Sequence, residues 1–241
     1  MKLAVFFSPD EPASADLARR TVVIIDVLRA TSTIVEALAH GARAILPAEN
    51  IEEAVKVAKN VGRDAALLCG ERGGLRIDGF DLGNSPAEYT PEAVGGKLLV
   101  MTTTNGTSAL LATSHAKRSL VASFFNLEAV AADLASREEE DEVVVVCAGR
   151  EGRFALEDAV CAGALALRLR NHLGRRLEPN DAASAALMLG ARYSRSPARL
   201  LRRTEAGKQL ASIGHAADVA FCAEVDRHKV VPELRERQIT L

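Results

Sequence analysis

Short apolar runs alternate with longer stretches of mixed polarity along most of the chain. Residues 21–27 read Thr-Val-Val-Ile-Ile-Asp-Val, and residues 142–147 read Glu-Val-Val-Val-Val-Cys. Strands that are apolar at successive positions are typical of a mainly parallel sheet whose two faces are both covered by helices. The pattern predicts seven strands, at Leu3–Phe7, Thr21–Val27, Ala42–Pro47, Ala65–Cys69, Lys97–Thr103, Ser119–Phe125 and Glu142–Ala148.

Helical periodicity fills the segments between these strands. Leu127, Val130, Ala131 and Leu134, for example, recur at the spacing of one helix face. Repeated strand-then-helix order predicts right-handed crossover units. The expected helices are Thr31–His40, Ile51–Val61, Ser108–His115, Leu127–Arg137 and Glu157–Leu173.

The last third of the chain has a different pattern, which is almost entirely helical over residues 180–224. Asn180 or Asp181 is the expected N-cap of this part, and helix breaks are expected at Gly190, Gly207 and Gly214. Residues 238–241 predict one late edge strand. We therefore expect a three-layer α/β fold, a mainly parallel or mixed sheet covered by helices, with a helical C-terminal part.

Length and charge limit the classes of protein. The 241 residues suit one large α/β domain, or two small lobes of about 1–140 and 141–241 that share a cleft. With 30 basic and 32 acidic residues, the chain lacks the charge of a nucleic-acid binder. No apolar stretch reaches the ~20 residues of a membrane helix, and the first apolar run is too short for a signal peptide. The four scattered cysteines indicate a reducing cytoplasm.

Polar residues gather where the strands end, which is where ligands bind in doubly wound folds. Asp26 ends an apolar strand, Arg29 follows it, and Thr31–Thr33 open a helix whose free amides favour an anion. A helix cap explains Thr31 or Ser32 alone. Asp26 is predicted to be functional, because a buried, unpaired acid is costly.

Two further strand ends carry glycine-rich or hydroxyl-rich turns. Residues 69–74 and 79–86 contain Glu71 and Arg72 and are expected to fold over a cleft, although an ordinary turn-rich connection explains them too. Residues 101–108 offer hydroxyls and a glycine as a phosphate cradle without the P-loop lysine. A capped strand–helix turn explains that segment equally well.

The fourth strand end leads through Arg150 and Arg153 to Glu157 and Asp158 at a helix start. Adjacent acids suit the positive end of a helix, and they also suit Mg²⁺. The helix dipole alone is the stronger explanation for Glu157 than for Asp158.

Cys147 and Arg153 have the spacing of cysteine-dependent phosphatases. Val146 stands where a histidine would help, however, and Phe154 stands where a hydroxyl would, so we expect Cys147 to be a buried packing residue. Signatures of dinucleotide binding, zinc proteases, serine hydrolases and kinases are missing. The five histidines lie far from these turns, and helix-end or surface roles explain them, so no histidine–metal site is expected.

Five motifs in order resemble the 2-phosphosulfolactate phosphatase family, over roughly Val22 to Gly163. They are Asp26-Val-Leu-Arg-Ala-Thr-Ser32, Cys69-Gly-Glu-Arg72, Gly79-Phe-Asp-x-Gly-Asn-Ser-Pro86, Thr102-Thr-Thr-Asn-Gly-Thr107, and Glu157-Asp158 with Ala162-Gly163. The resemblance implies Mg²⁺-dependent hydrolysis of 2-phosphosulfolactate to sulfolactate and phosphate, a step toward coenzyme M, and a compact α/β fold.

With that substrate in view, the residues take the following expected roles. Asp26, Arg29, Glu71 and Arg72 are the catalytic candidates, with Asp26 either the nucleophile or a metal ligand. Asp26, Glu71 and Asp158 are the candidate Mg²⁺ ligands. Phosphate or sulfonate oxygens are assigned to Thr31, Ser32, Thr103, Thr104, Asn105, Gly106, Thr107, Arg150 and Arg153.

Two other functions remain open at this point. The chain is alternatively a phosphatase for another small phosphorylated hydroxy acid, or a non-catalytic binding module for an anionic metabolite. The number of acids at the strand ends favours catalysis, because anion binding needs amides and arginines. The sequence does not settle the physiological substrate, the oligomeric state (a homodimer stays open), or the role of the helical last third.

Overall fold

The computed structural model of the chain describes residues 1–12, 17–62, 65–137 and 141–241. Its strands are β1 Lys2–Phe6, β2 Thr21–Ile25, β3 Ala44–Pro47, β4 Ala66–Arg72, β5 Leu75–Arg76, β6 Leu98–Thr102, β7 Arg118–Ala122, β8 Glu142–Cys147, β9 Glu178–Pro179, β10 Glu233–Arg235 and β11 Gln238–Thr240. Its helices are α1 Ala30–Ala39, α2 Ile51–Val61, α3 Pro91–Val94, α4 Gly106–Ala112, α5 Leu127–Ala135, α6 Leu156–Leu173, α7 Asp181–Tyr193, α8 Pro197–Leu201, α9 Glu205–Ser212 and α10 Ala216–Phe221. All seven predicted strands are confirmed.

The strands of the described residues form one mixed sheet in the order β5-β4-β6-β3-β11-β10-β7-β2-β8-β1-β9. It contains two parallel blocks. The β3 block consists of β3, β4 and β6, and the β2 block consists of β1, β2, β7, β8 and β9. The hairpin β10–β11 pairs antiparallel with both blocks and joins them.

Alternate side chains of β2 enter two different cores, which explains why that strand is apolar throughout. Val22 and Ile24 pack with Ile34 of α1, in a core that also holds residues of α4. Val23 and Ile25 point to the opposite face and pack with α5 and α6. Since both faces are covered by helices, the predicted three-layer α/β fold is confirmed.

Two of the expected helix breaks are wrong. Gly190 lies inside α7, where a Cβ would clash with the backbone of Gly163 in α6. Gly207 lies inside α9, where a Cβ would clash with the carbonyl oxygen of Leu201. These glycines permit close backbone approach, whereas Gly214 follows α9 with a φ of +91°. The predicted cap is confirmed, since Asn180 accepts a 2.8 Å bond from Ala183 N.

The expectation that residues 238–241 form an edge strand is also wrong, because β11 lies inside the sheet. Ile239 is paired with Ile45 of β3, and Leu234 of β10 is paired with Ser119 of β7. The two-residue turn between β10 and β11 has φ values of 48° and 63°, the signature of a type I′ turn. That turn normally contains asparagine, aspartate or glycine. Glutamate and arginine occupy it here, so the sequence carries no hairpin signal.

The two-lobe division stays a prediction. Its boundary near residue 140 falls among residues 138–140, outside the described part of the chain. Strands from both proposed lobes lie in one sheet, since Val5 of β1 is paired with Val145 of β8. Within the described ranges, no helix has the length and apolar character needed to cross a membrane.

Candidate active site

A pocket lies at the carboxyl ends of β2, β4, β6 and β8, and it collects residues from all four predicted turns. Four strands separate β6 from β2 in the sheet. Nevertheless, a Cβ on Gly106, after β6, would lie only 2.8 Å from Asp26 Oδ2, after β2. The sheet therefore curves around α1 and α4 and brings the ends of its two blocks together. The predicted site residues that line the pocket are Asp26, Arg29, Glu71, Thr103, Thr104, Asn105, Arg150 and Asp158.

Asp26 is buried, and its backbone is fixed by Thr31. The Thr31 hydroxyl accepts from Asp26 N at 3.0 Å and donates to Asp26 O at 2.8 Å. Among described residues, the carboxylate accepts one long bond, 3.4 Å, from Ala30 N. Burial, and then repulsion from Glu71, raises the pKa of Asp26 to about 7. Asp26 is thus a weakly compensated acid facing the pocket.

Asp158 and Glu71 hold the strand-end turns together. Asp158 accepts from Val27 N at 2.8 Å and from Gly149 N at 3.1 Å. Glu71 accepts from Gly74 N at 2.7 Å and from Thr104 N at 2.7 Å. Burial, followed by repulsion from Asp26, raises the pKa of Asp158 well above its ordinary value. Both carboxylates are oriented by backbone amides and still carry unused lone pairs.

Glu157 is a site residue that the sequence analysis assigned mainly to the helix dipole. It lines the pocket and is 5% exposed. Burial raises its pKa, while hydrogen bonding to its own backbone amide and the charge of Arg150 oppose the shift. With Asp26, Glu71 and Asp158 it completes a set of four buried carboxylates, which we call the acid pocket. Such oxygen donors suit Mg²⁺.

Two arginines face the acid pocket in different ways. Arg29 is 3% exposed, and its Nη1 donates to Asp218 Oδ2 at 2.6 Å. Asp218 also accepts from Ser85 Oγ at 2.6 Å, so the guanidinium is held in one place. Arg150 is half-buried and has no ion-pair partner among the described residues. Arg150 is therefore available to an anionic ligand, whereas Arg29 is fixed as part of the wall.

Asn84 is a second residue that the sequence analysis did not assign to the site. It lines the pocket, it is 4% exposed, and its Oδ1 has no hydrogen-bond partner within the described ranges. A buried amide oxygen without a partner is rare in folded proteins. The signal that could have found it is its position in the Gly79–Pro86 motif.

The remaining predicted site residues build the frame around the pocket. The Thr31 and Ser32 hydroxyls donate to the carbonyl oxygens of Asp26 and Val27. Thr107 donates to the carbonyl oxygen of Thr103 at 2.9 Å. These hydroxyls are used within the protein, and their assigned contacts with substrate oxygens stay predictions.

Gly106, Arg72 and Arg153 also lie outside the pocket wall. Gly106 allows α4 to approach Asp26 closely. Arg72 donates to Glu71 O at 2.7 Å and to Thr102 Oγ1 at 3.0 Å, which ties the ends of β4 and β6 together. Arg153 is exposed, and its backbone pairs with that of Arg150. Their functional roles stay predictions as well.

The helical last third closes one side of the pocket. Ala206, Gln209 and Leu210 of α9 line it. A Cβ on Gly74 would lie 2.6 Å from Ile213 Cδ1, so the turn after β4 packs directly against the end of α9. The sequence had left this part of the chain without a role.

Cys147 lies in the core and not in the pocket wall. It is fully buried among residues of β2, β8 and α6. Burial, with repulsion from Asp158, raises the pKa of its thiol well above the ordinary value. A nucleophilic cysteine needs the opposite shift. The geometry therefore supports the packing role that the sequence predicts.

Comparison with known proteins identifies the family of this chain. Residues 6–237 match the family model described as 2-phosphosulpholactate phosphatase. A relative named probable 2-phosphosulfolactate phosphatase from Thermotoga petrophila is 44% identical over 216 residues, 89% of each chain. A relative of the same name from Caldanaerobacter subterraneus subsp. tengcongensis is 40% identical over 91% of this chain and 90% of the relative. Another, from Clostridium beijerinckii, is 37% identical over 100% of this chain and 99% of the relative. The resemblance seen in the five motifs is confirmed, and the chain belongs to the 2-phosphosulpholactate phosphatase family.

Proposed function

We propose that this chain hydrolyses 2-phosphosulfolactate to sulfolactate and phosphate with Mg²⁺ bound in the acid pocket. The names of its relatives support the substrate. The observation that supports a bound metal ion is the excess of negative charge in the pocket, where four buried carboxylates face two arginines. An anionic phosphate ester would not enter such a pocket without a cation to balance it.

The residues present fit Mg²⁺. Asp26, Glu71 and Asp158 are the ligands that we propose, and Glu157 lies beside them. The unpartnered Oδ1 of Asn84 is a further oxygen donor. Mg²⁺ prefers oxygen ligands and usually keeps several waters. Once bound, it would neutralise phosphate oxygens and the charge that develops during phosphoryl transfer.

The other residues bind and orient the substrate. The substrate carries phosphate, carboxylate and sulfonate on three carbons. Arg150, which has no ion-pair partner within the described ranges, can bind one of these anions, and Thr104 and Asn105 lie on the same wall. Arg29 contributes positive charge from a fixed position, because Asp218 holds it. Asp26, whose carboxylate accepts a single long hydrogen bond among the described residues, is either the nucleophile or a metal ligand.

The test is phosphate release by the purified chain from 2-phosphosulfolactate and a panel of other phosphorylated hydroxy acids. We expect the sulfonated substrate to give the highest kcat/KM, no release after exhaustive chelation, and recovery with Mg²⁺. Equal rates on all substrates would indicate a phosphatase for another hydroxy acid. Thermal stabilisation by ligand without phosphate release would indicate a binding module, and full activity after chelation would contradict the metal.

A further inference from the structure

A second cluster of titratable side chains lies on α1, separate from the acid pocket. Glu36 is 2% exposed, His40 directly follows α1, and His228 precedes β10. Their ligand atoms all lie within 4.8 Å of one another. The two histidines, which the sequence left to helix-end and surface roles, are thus brought together by the fold. We call these three residues the Glu36 cluster.

The hydrogen bonding of His40 fixes which of its nitrogens faces Glu36. His40 Nδ1 lies 2.7 Å from the carbonyl oxygen of Tyr89, so Nδ1 carries the ring proton. In the neutral ring, Nε2 then carries a lone pair, and it lies 3.6 Å from Glu36 Oε1. Two acceptors face each other across a gap that is too long for a hydrogen bond.

We propose that the Glu36 cluster is a Zn²⁺ site, with His40 Nε2, His228 Nε2 and a Glu36 oxygen as ligands and water as the fourth. Two nitrogens and one carboxylate are a zinc ligand set, and two ligand atoms on a tetrahedral Zn²⁺ lie about 3.4 Å apart. The Tyr89 carbonyl supplies the second hydrogen bond that orients metal-binding histidines. Imidazole nitrogen selects Zn²⁺ over Mg²⁺.

Arg227 competes with the ion for Glu36. Its Nε lies 3.1 Å from Glu36 Oε2 and its Nη2 lies 3.2 Å from Glu36 Oε1, so the guanidinium contacts both carboxylate oxygens. This charge balances the buried carboxylate in the metal-free chain. Its Nη1 already donates to Glu224 Oε2 at 2.9 Å, so a carboxylate partner remains when Zn²⁺ takes Glu36. His228 Nε2 lies 2.7 Å from Glu36 Oε2, and Zn²⁺ binding there moves the His228 proton to Nδ1.

The test is titration of the chelator-treated chain with ZnCl₂, followed by calorimetry. Asp26→Asn is the background, since it removes the acid pocket's least compensated carboxylate. We expect one bound Zn²⁺ per chain and at least a ~10-fold loss of affinity in His40→Ala and in His228→Ala. The matched control His115→Ala, an exposed histidine elsewhere, should bind Zn²⁺ as the background does.

A second variant separates a metal site from a purely structural cluster. Arg227→Gln should strengthen Zn²⁺ binding, by about threefold or more, because the competing charge is removed. A structural ion pair alone would give no such gain. No Zn²⁺ binding by the background chain, or binding by both histidine variants as tight as that of the background, would overturn the proposal. Circular dichroism checks that each variant is folded. Co²⁺ absorption gives an independent readout, and it should weaken in Glu36→Gln because a ligand is changed.

Discussion

The acid pocket and the Glu36 cluster both contain buried carboxylates, and α1 runs from one to the other. In the acid pocket, four carboxylates face Arg29, which is paired with Asp218, and Arg150, which has no ion-pair partner in the described part of the chain. In the Glu36 cluster, one carboxylate is surrounded by a guanidinium and two imidazoles. The first set consists of oxygen ligands, and the second includes nitrogen.

The difference lies in where the balancing charge comes from. The Glu36 cluster is close to neutral with the residues that the chain itself supplies. The acid pocket is not, and burial together with repulsion from Glu71 raises the pKa of Asp26 to about 7. The acid pocket can therefore be recognised by charge that its own fold leaves uncompensated, whereas the Glu36 cluster is recognised by its ligand atoms.

Asp26→Asn should have the largest effect, because it removes the least compensated charge of the acid pocket while keeping the shape. We expect a normal fold and at least a ~100-fold loss of turnover, measured as phosphate release. Trapping of an acid-stable, base-labile phosphoenzyme at Asp26 in the unsubstituted chain would identify a nucleophile.

Cys147→Ser is the matched control for that variant, since Cys147 ends the neighbouring strand β8. It should keep turnover within a few-fold, because the buried thiol only packs. A loss of about a thousandfold with the fold intact would reverse the assignment of the two residues.

Asp218→Asn should have a smaller effect, because it changes how Arg29 is held and not the acids themselves. Loss of the 2.6 Å ion pair frees a buried guanidinium to approach the carboxylates. We expect kcat/KM to fall by about tenfold, on the order of 1.4 kcal/mol, with most of the change in KM. Ser85→Ala, which removes only the second bond to Asp218, should change KM less. Equal effects on KM in both variants would contradict a positioning role for Asp218.

The stability of the chain should depend on pH through Asp26 of the acid pocket. Folding raises the pKa of Asp26 from 3.8 to about 7. Between these pH values the folded chain keeps a proton on Asp26, whereas the unfolded chain releases it. The stability of the metal-free chain should therefore fall as pH rises between these values. Thermal melts should show stabilisation by Mg²⁺ of about 5 °C at about pH 8 and less at about pH 5. Asp26→Asn should flatten the dependence of stability on pH. A flat stability profile in the unsubstituted chain would refute the raised pKa of Asp26.

The smallest effect is expected outside both clusters, in the β10–β11 turn. Glu236 is exposed and has a φ of 48°, which asparagine adopts more readily. Glu236→Asn should stabilise the fold by about 0.5–1 kcal/mol and raise Tm by roughly 2 °C, with phosphate release unchanged. A lower Tm would show that the turn is not strained by Glu236.

Strands such as β2, β6 and β8 could be predicted because they are buried on both faces and therefore continuously apolar. The two-residue strands β5 and β9 are exposed and gave no such signal. The residues of the acid pocket could be located because parallel strands place their ends, and thus Asp26, Glu71 and Asp158, along one edge. The curvature that brings β6 to β2 has no local signal. Gly190 was wrongly predicted to break a helix, because only its packing against Gly163, which the sequence does not show, explains a glycine inside α7.

Residues from distant parts of the chain were missed for a related reason. Asn84 and Asp218 matter because of what they meet in space, and the spacing of residues within one segment does not encode that. Gln209 reaches the pocket only because α9 packs on the turn at Gly74. Glu157 was visible in the sequence, but helix-dipole stabilisation explained it equally well until its burial was known.

The position of the β10–β11 hairpin has a consequence for how the protein is made. A ribosome synthesises both parallel blocks before it reaches residues 233–240, so each block has an unpaired edge, at β3 and at β7, until the hairpin arrives. Open strand edges are templates for pairing with other chains. Premature release after Leu210 but before residue 233 would therefore yield a product that holds every residue lining the pocket and yet self-associates.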